Sequence, residues 1–577
     1  MDVEASGLGS IYLILQQIGH FQFFSFVVAI PLLLLVLLIP SYRVFWVASL
    51  IIFSCFLLIV FGDYAVFKLY RFHLNGMVLN MLLGGAMGEI LVLDAANLLT
   101  AFAIAGMILL AQTGILRGIR IRYRQKRKGT GWWIFSLVLL IQLSGQVVYG
   151  WSDAWYRTDV ISQIQYVPFP QAITMKRFLR KQGWAPEIDI YKPSIATKSG
   201  RFNYPVAPLK CEASGEKPNL LFIVSDGLRF DMLNDEVMPV WSSLAKIGQR
   251  FERHISTGNA TRFGIYGLFS GLYGDYWFDS LANSSSPVLV DKLVSEDYRF
   301  GFFANARLTS PEFDKALFSS VSDEIPQKTK GEDVIEREYE IVRQAKQFIE
   351  ADSTDPFFGF LFFDAPHAYV YPPEDEKFLP VVESINYLKL DNQTDPQPFL
   401  NRYQNSIAFN DRLTGELLES LKQSGQMDNT IIILTGDHGQ EANETRTNSW
   451  GHNSNFSRYQ IQVPLVIVWP GKTSATYRHL TSHADIVPTL IEDLYECTND
   501  LTDYSNGENL FKPSHRKFVM TRNWNNQAVV GYDVVQTFPK VGVAETRSYL
   551  SYEKKDSDYK SGFPLTEVIE HLNRFYH

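Results

Sequence analysis

Apolar residues gather in four long runs near the start of the chain, at roughly Phe21–Ile39, Val44–Gly62, Leu98–Leu116 and Trp132–Trp151. A helix needs about 20 residues to cross the hydrocarbon core of a bilayer, so each run predicts a membrane span. The first lacks a basic stretch ahead of it and is followed at once by another span, which excludes a cleavable signal peptide. From Lys217 onward the pattern changes. Short apolar runs at Asn219–Asp226, Phe300–Ala304, Phe357–Asp364, Thr430–Asp437 and Val463–Trp469 read as buried strands, with helices such as Val334–Ala351 and Asn405–Ser424 between them. This alternation predicts a three-layer α/β sandwich with a mostly parallel central sheet. Two later runs, Lys517–Arg522 and Ala528–Val543, are expected to complete that sheet. The expected organisation is an α-helical transmembrane bundle over 1–152, a juxtamembrane linker over 153–216 and an α/β domain over 217–577.

Charge separates the same regions. Residues 1–155 carry 10 Lys/Arg against 6 Asp/Glu, and the remainder carries 43 against 55. Arg117 to Lys128 holds seven basic residues in twelve positions, and the positive-inside rule puts this loop in the cytoplasm, where it also meets anionic phospholipid. The region after about residue 153 is then expected outside, as is the N-terminus. With no long basic stripe elsewhere, nucleic-acid binding is excluded. Just after the fourth run, Lys176, Arg177, Arg180 and Lys181 lie on one short stretch. It reads either as a solvated linker helix or as a basic helix at the lipid headgroups, and its position beside a span favours the second. Cys211 and Cys497 both fall in the C-terminal part and are candidates for one disulfide, although spacing alone does not decide their proximity.

Three predicted strands end in acid: Asp226, Asp364 (followed by Ala-Pro-His367) and Asp437 (followed by His438-Gly). Ligands of open α/β sheets bind beyond the carboxyl ends of strands, and carboxylates with imidazole suit a divalent cation. Taken singly, each Asp is more often a turn or cap residue; the combination favours a site. Between the first two strands, Gly258-Asn-Ala-Thr261 leads into an apolar helix and would present a hydroxyl at its start. Thr261 there is either a helix cap or a nucleophile.

Asp226, the Gly258–Thr261 turn, Asp437-His438-Gly and Trp450-Gly-His452-Asn, followed by Gln462-Val-Pro-Leu-Val466, resemble the alkaline phosphatase/sulfatase superfamily, especially its membrane-anchored phosphoethanolamine and phosphoglycerol transferases. The resemblance implies Asp226, Thr261, Asp437 and His438 as ligands of one divalent cation (Zn²⁺, Mn²⁺ or Mg²⁺), with Thr261 also the nucleophile. It implies His367 and His452 as holders of substrate phosphate or of a second metal. Thr261-Arg-Phe-Gly-Ile lacks the Cys/Ser-x-Pro-x-Arg context of a sulfatase proper, so sulfate-ester hydrolysis is not expected.

Tyr70-Arg-Phe-His-Leu-Asn75, Trp151-Ser-Asp-Ala-Trp-Tyr-Arg157, Pro170–Gly183, Gly264–Gly271 and Val463–Gly471 further resemble the YejM/PbgA (LapC) inner-membrane proteins of Gram-negative bacteria, over nearly the whole chain. Five spans with a cytoplasmic N-terminus in that family imply a helix ahead of the four visible ones. The resemblance also implies a periplasmic C-terminal domain and lipid A or lipopolysaccharide contacted by Thr174, Lys176 and Arg177. It further implies control of lipopolysaccharide synthesis through a LapB-type membrane adaptor and the protease FtsH. Two readings follow: a lipid-binding regulator with a phosphatase-like scaffold, or a working metal-dependent phosphatase or head-group transferase.

Overall fold

The computed structural model describes residues 7–70, 73–74, 95–124, 131–155, 157–169, 173, 175–184, 202–211, 217–351, 353, 355–385, 387, 390–539, 544–556, 559 and 561–576. They form two compact units, one built on Met1–Lys192 and the other on Pro193–Phe538 with Ala544–His577.

The first unit holds helices Leu8–Leu38, Tyr42–Tyr70, Ala95–Arg124 and Gly131–Ala154, all long and apolar enough to cross a membrane. The first starts well before Phe21 because its early turns also have a partner. Tyr12, Gln16, Gly19 and His20 are buried, and this helix packs on the second and fourth while the second packs on the third. A polar ring in such a helix needs a partner, and His20 Nε2 donates to the Pro168 carbonyl at 2.7 Å. The basic stretch is helical over Lys176–Lys181. It is docked on the end of the fourth span: Leu179 is buried with Ala154, with Met175 packed beside them, and the Ile173 N–H donates to Gln146 Oε1 at 3.1 Å. Thr174 and the side chains of Lys176 and Arg177 lie outside what is described.

The second unit is built on fourteen strands in the described residues: β1 (Asn219–Ser225), β2 (Gln249–Ile255), β3 (Arg299–Ala304), β4 (Phe357–Phe363), β5 (Thr430–Gly436), β6 (Glu441–Ala442), β7 (Trp450–Gly451), β8 (Gln462–Val468), β9 (Ala475–Tyr477), β10 (Thr481–Ser482), β11 (Val519–Arg522), β12 (Asn526–Val530), β13 (Val534–Pro539) and β14 (Glu545–Ser548). The central sheet runs β10-β2-β8-β5-β1-β4-β3, with β9 also on β2. Its pairs are parallel except those that β8 makes with β2 and β5. Every residue of β1 is buried. Leu220, Phe222 and Val224 face one apolar core, and Leu221 and Ile223 face the other, so helices cover both faces and the sandwich has three layers.

The C-terminal runs do not complete this sheet. They form a separate four-stranded antiparallel sheet in the order β11-β12-β13-β14. A parallel crossover takes a dozen or so residues, whereas only residues 523–525 and 531–533 join the first three of these strands, so they fold back as a meander. The part of the second run at 540–543 is not among the described residues.

The stretch expected as a linker is divided between the units. The helices at Thr158–Ile161 and Lys176–Lys181 belong with the spans. In the second unit, Phe202 bridges to Tyr576, and Cys211 forms a disulfide with Cys497 across a sequence separation of 286 residues. Closing so long a loop restricts the unfolded chain. Replacing both cysteines with Ser is expected to cost about 2–5 kcal/mol, measured by denaturant unfolding of the two proteins side by side. An unchanged midpoint would remove the bond from the account of stability.

Candidate metal centre and nucleophile

The register of the parallel strands assembles the site. Ser225 at the end of β1 pairs with Phe363 of β4 and with Gly436 of β5. The next residue on each strand is acidic, so Asp226, Asp364 and Asp437 stand side by side on three adjacent strands about 4.8 Å apart. Gly227 follows Asp226 with φ at +73°, a turn that glycine makes without strain, and its N–H donates to Asp437 Oδ1 at 2.9 Å. The His438 N–H donates to the same oxygen at 2.8 Å. With Oδ1 so occupied, Asp437 Oδ2 is left facing the site.

Thr261 reaches the same place from β2. The turn that carries it is held on both sides: the Arg522 N–H donates to the Thr257 carbonyl and the Asn259 N–H to the Arg522 carbonyl, each at 3.1 Å, while Thr257 Oγ1 donates to the Phe263 carbonyl at 2.7 Å. The capping position of the helix Thr261–Ser270 is Ala260, which makes no side-chain cap bond. Thr261 is therefore not the cap. Its Oγ1 lies 3.3 Å from Asp226 Oδ2 and 3.3 Å from His438 Nε2.

His438 Nδ1 donates to the Gly439 carbonyl at 3.0 Å, which assigns the unprotonated lone pair to Nε2. That atom faces Asp437 Oδ2 at 3.3 Å and Asp226 Oδ1 at 3.5 Å. Both of these oxygens are buried without a hydrogen-bond partner. Burial, together with Asp437 beside it, raises the Asp226 carboxyl well above its ordinary value. Burial raises Asp437 as well, and it lowers His438 to about 3. Two carboxylates, a neutral imidazole and a hydroxyl thus turn their lone pairs on one point, an arrangement that a divalent cation satisfies.

His367 and His452 flank this point. His367 Nδ1 is 3.4 Å from Asp364 Oδ1, and its Nε2 is 3.3 Å from His452 Nε2. His452 Nδ1 donates to the Asn259 carbonyl at 3.0 Å, so the His367 N–H donates to its Nε2. Burial works against charge on His367, but Asp226 and Asp364 more than offset it and raise the imidazolium to about 10. Burial holds His452 well below its ordinary value, and its ring stacks on His438 with centroids 4.1 Å apart. Asp437 and His438 are fully buried, whereas the His367 side chain is 31% exposed and Thr261 half-buried. The ligands therefore lie behind an open mouth.

Among the described residues, carboxylate and imidazole atoms close enough to share a metal ion fall into two overlapping groups: Asp226, Asp437 and His438, and Asp226, Asp364 and His367. The structure thus brings together all six residues expected at this site and adds Asp364. The sequence reading grouped Asp364 with Asp226 and Asp437 as strand-end acids suited to a cation, but did not carry it into the expected set of ligands.

The fold and the site define an alkaline phosphatase/sulfatase-type domain on a chain with four membrane-capable helices. The sulfatase family model matches residues 218–494, and a domain of unknown function matches residues 1–211. The inner membrane protein YejM of Salmonella typhimurium is 25% identical over 98% of this chain and 91% of its own length. An uncharacterized protein of Haemophilus influenzae is 29% identical over 96% of this chain and 86% of its own. A solved alkaline phosphatase superfamily protein of Vibrio parahaemolyticus covers 67% of this chain and 91% of its own, at 15% identity and a TM-score of 0.47. Over nearly its whole length the chain is thus similar to YejM, and it carries a sulfatase-like domain.

Proposed function

We propose that this is an inner-membrane, lipid A-binding regulator of lipopolysaccharide synthesis, acting through a LapB-type adaptor and FtsH, with its sulfatase-like domain in the periplasm and one divalent cation in that domain. The observation that carries the lipid reading is the docking of the basic helix Lys176–Lys181 on the end of the fourth span through Leu179 and Met175. A cationic helix fixed at a span end meets lipid headgroups at a set depth. The relatives named as inner membrane proteins and the basic cluster of Arg117–Lys128, which favours a cytoplasmic loop, support the placement. Charge-assisted contacts to phosphate contribute about 1.5–3 kcal/mol each where water is excluded. Lys176→Ala with Arg177→Ala is therefore expected to weaken lipid A binding by the purified protein at least tenfold, measured against vesicles with and without lipopolysaccharide. Binding equal to wild type would refute this site.

A second reading, a metal-dependent phosphatase or head-group transferase, is supported by the position of Thr261 Oγ1 between Asp226 and His438. Asp226, Thr261, Asp437 and His438 would hold the cation, with Zn²⁺ or Mn²⁺ favoured over Ca²⁺ by the imidazole. When bound, such an ion lowers the pKa of a coordinated hydroxyl and offsets the negative charge of a phosphate. Thr261 Oγ1 would form the bond to phosphorus as the ester P–O bond breaks, with the leaving alcohol taking the electron pair and a proton. The His367 imidazolium stands at the mouth, where its charge would attract the phosphate oxygens. Water would then release phosphate from Thr261, or an acceptor alcohol would take it.

A further inference from the structure

The geometry points to Glu338 as a positioning residue that anchors the backbone from which Asp364 holds His367 in the site, a reading that rests on the phosphate-attracting role proposed for His367. Asp364 occupies the capping position of the short helix Ala365–Ala368, where an aspartate ordinarily accepts from the second or third helical N–H, and the second residue here is Pro366, which has none to give. Here it makes no such bond. Glu338, fully buried on the helix Val334–Ile349, reaches across from another layer. Its Oε1 accepts from the Asp364 N–H at 2.8 Å and from the Ala365 N–H at 2.7 Å.

One oxygen on a separate element thus anchors the two N–H groups that open this turn. The consequence lies on the other side of the loop. From that anchored backbone the Asp364 carboxylate meets His367 Nδ1 at 3.4 Å. With Nδ1 held there, His367 Nε2 is directed at His452, 3.3 Å away. Without Glu338, the Asp364 and Ala365 N–H groups lose their acceptor and the turn loses its anchor. A shift of that backbone would carry the Asp364 carboxylate away from His367. Glu338 touches none of the groups assigned to the cation, so its loss separates phosphate binding from cation binding.

The test uses the full chain in detergent, titrated first with Mn²⁺ and then with inorganic phosphate. Glu338→Leu removes the acceptor at similar volume, and Glu338→Gln keeps an oxygen to accept the same N–H groups. Glu338→Leu is expected to weaken phosphate binding about tenfold or more, as loss of a supporting hydrogen bond behind a ligand does, while Mn²⁺ affinity stays within about threefold. Glu338→Gln is expected to restore phosphate binding to within about threefold of wild type. The inference is overturned if Glu338→Leu binds phosphate like wild type, if Glu338→Gln is as impaired as Glu338→Leu, or if phosphate and Mn²⁺ affinities fall together with the melting temperature. A wild type that takes up no Mn²⁺ refutes the cation reading alone, and the same variants are then compared with phosphate in the absence of metal. A wild type that binds no phosphate in either condition overturns the role of His367, and that of Glu338 with it.

Discussion

Thr261→Ala is expected to lower phosphate-ester turnover by about 10⁴-fold or more, while much of the divalent-cation affinity is kept. The substitution removes the hydroxyl that lies 3.3 Å from Asp226 and from His438 and leaves both carboxylates and the imidazole in place. Asp437→Asn reverses the pattern. Its Oδ1 serves two backbone N–H groups, and Oδ2 is the buried oxygen left for the ion. Losing that charge is expected to weaken the cation by at least about 100-fold, and turnover with it. Metal analysis and a phosphomonoester assay on the same preparations separate the two effects. Turnover surviving in Thr261→Ala would assign the nucleophile elsewhere. Cation uptake by wild type with no turnover would leave the regulatory reading alone.

The second large effect is steric. A Cβ built on Gly264 would stand 2.1 Å from the Asp437 carbonyl oxygen and 2.9 Å from its carbon. Both are backbone atoms that cannot rotate away. Gly264→Ala must therefore push the helix that starts at Thr261 off the end of β5, at a cost of about 3 kcal/mol. The same displacement separates Thr261 from Asp437 and His438, so cation binding should fall together with the unfolding midpoint. A variant within about 0.5 kcal/mol of wild type that still binds the ion would show that the close approach is not required.

Much of this was legible in the sequence because the signals are local. The four spans follow from run length against bilayer thickness. The central strands β1, β3, β4, β5 and β8 follow from short apolar runs that end at acids or turns. What failed was the assignment of the C-terminal runs, since an apolar strand carries no mark of which sheet it joins; connection length decides that. The early turns of the first span were likewise missed, because Gln16 and His20 break the apolar run and are buried only through packing. Glu338 gave no signal. A glutamate in an amphipathic helix reads as surface until the loop it holds is seen beside it.

The sequence by itself determined the spans, five of the central strands and the candidate residues of the site, since hydropathy period, strand-end acids and the Gly258–Thr261 turn are properties of neighbours along the chain. The tertiary structure decided how those residues act on one another. Register between β1, β4 and β5 aligned three aspartates from distant segments, backbone N–H groups took one oxygen of Asp437 and left the other for an ion, and Cys211 met Cys497. The physical reason is that charge, hydrogen bonding and metal coordination depend on separations of a few ångströms, and between residues this far apart in the chain those separations exist only once the sheet has closed.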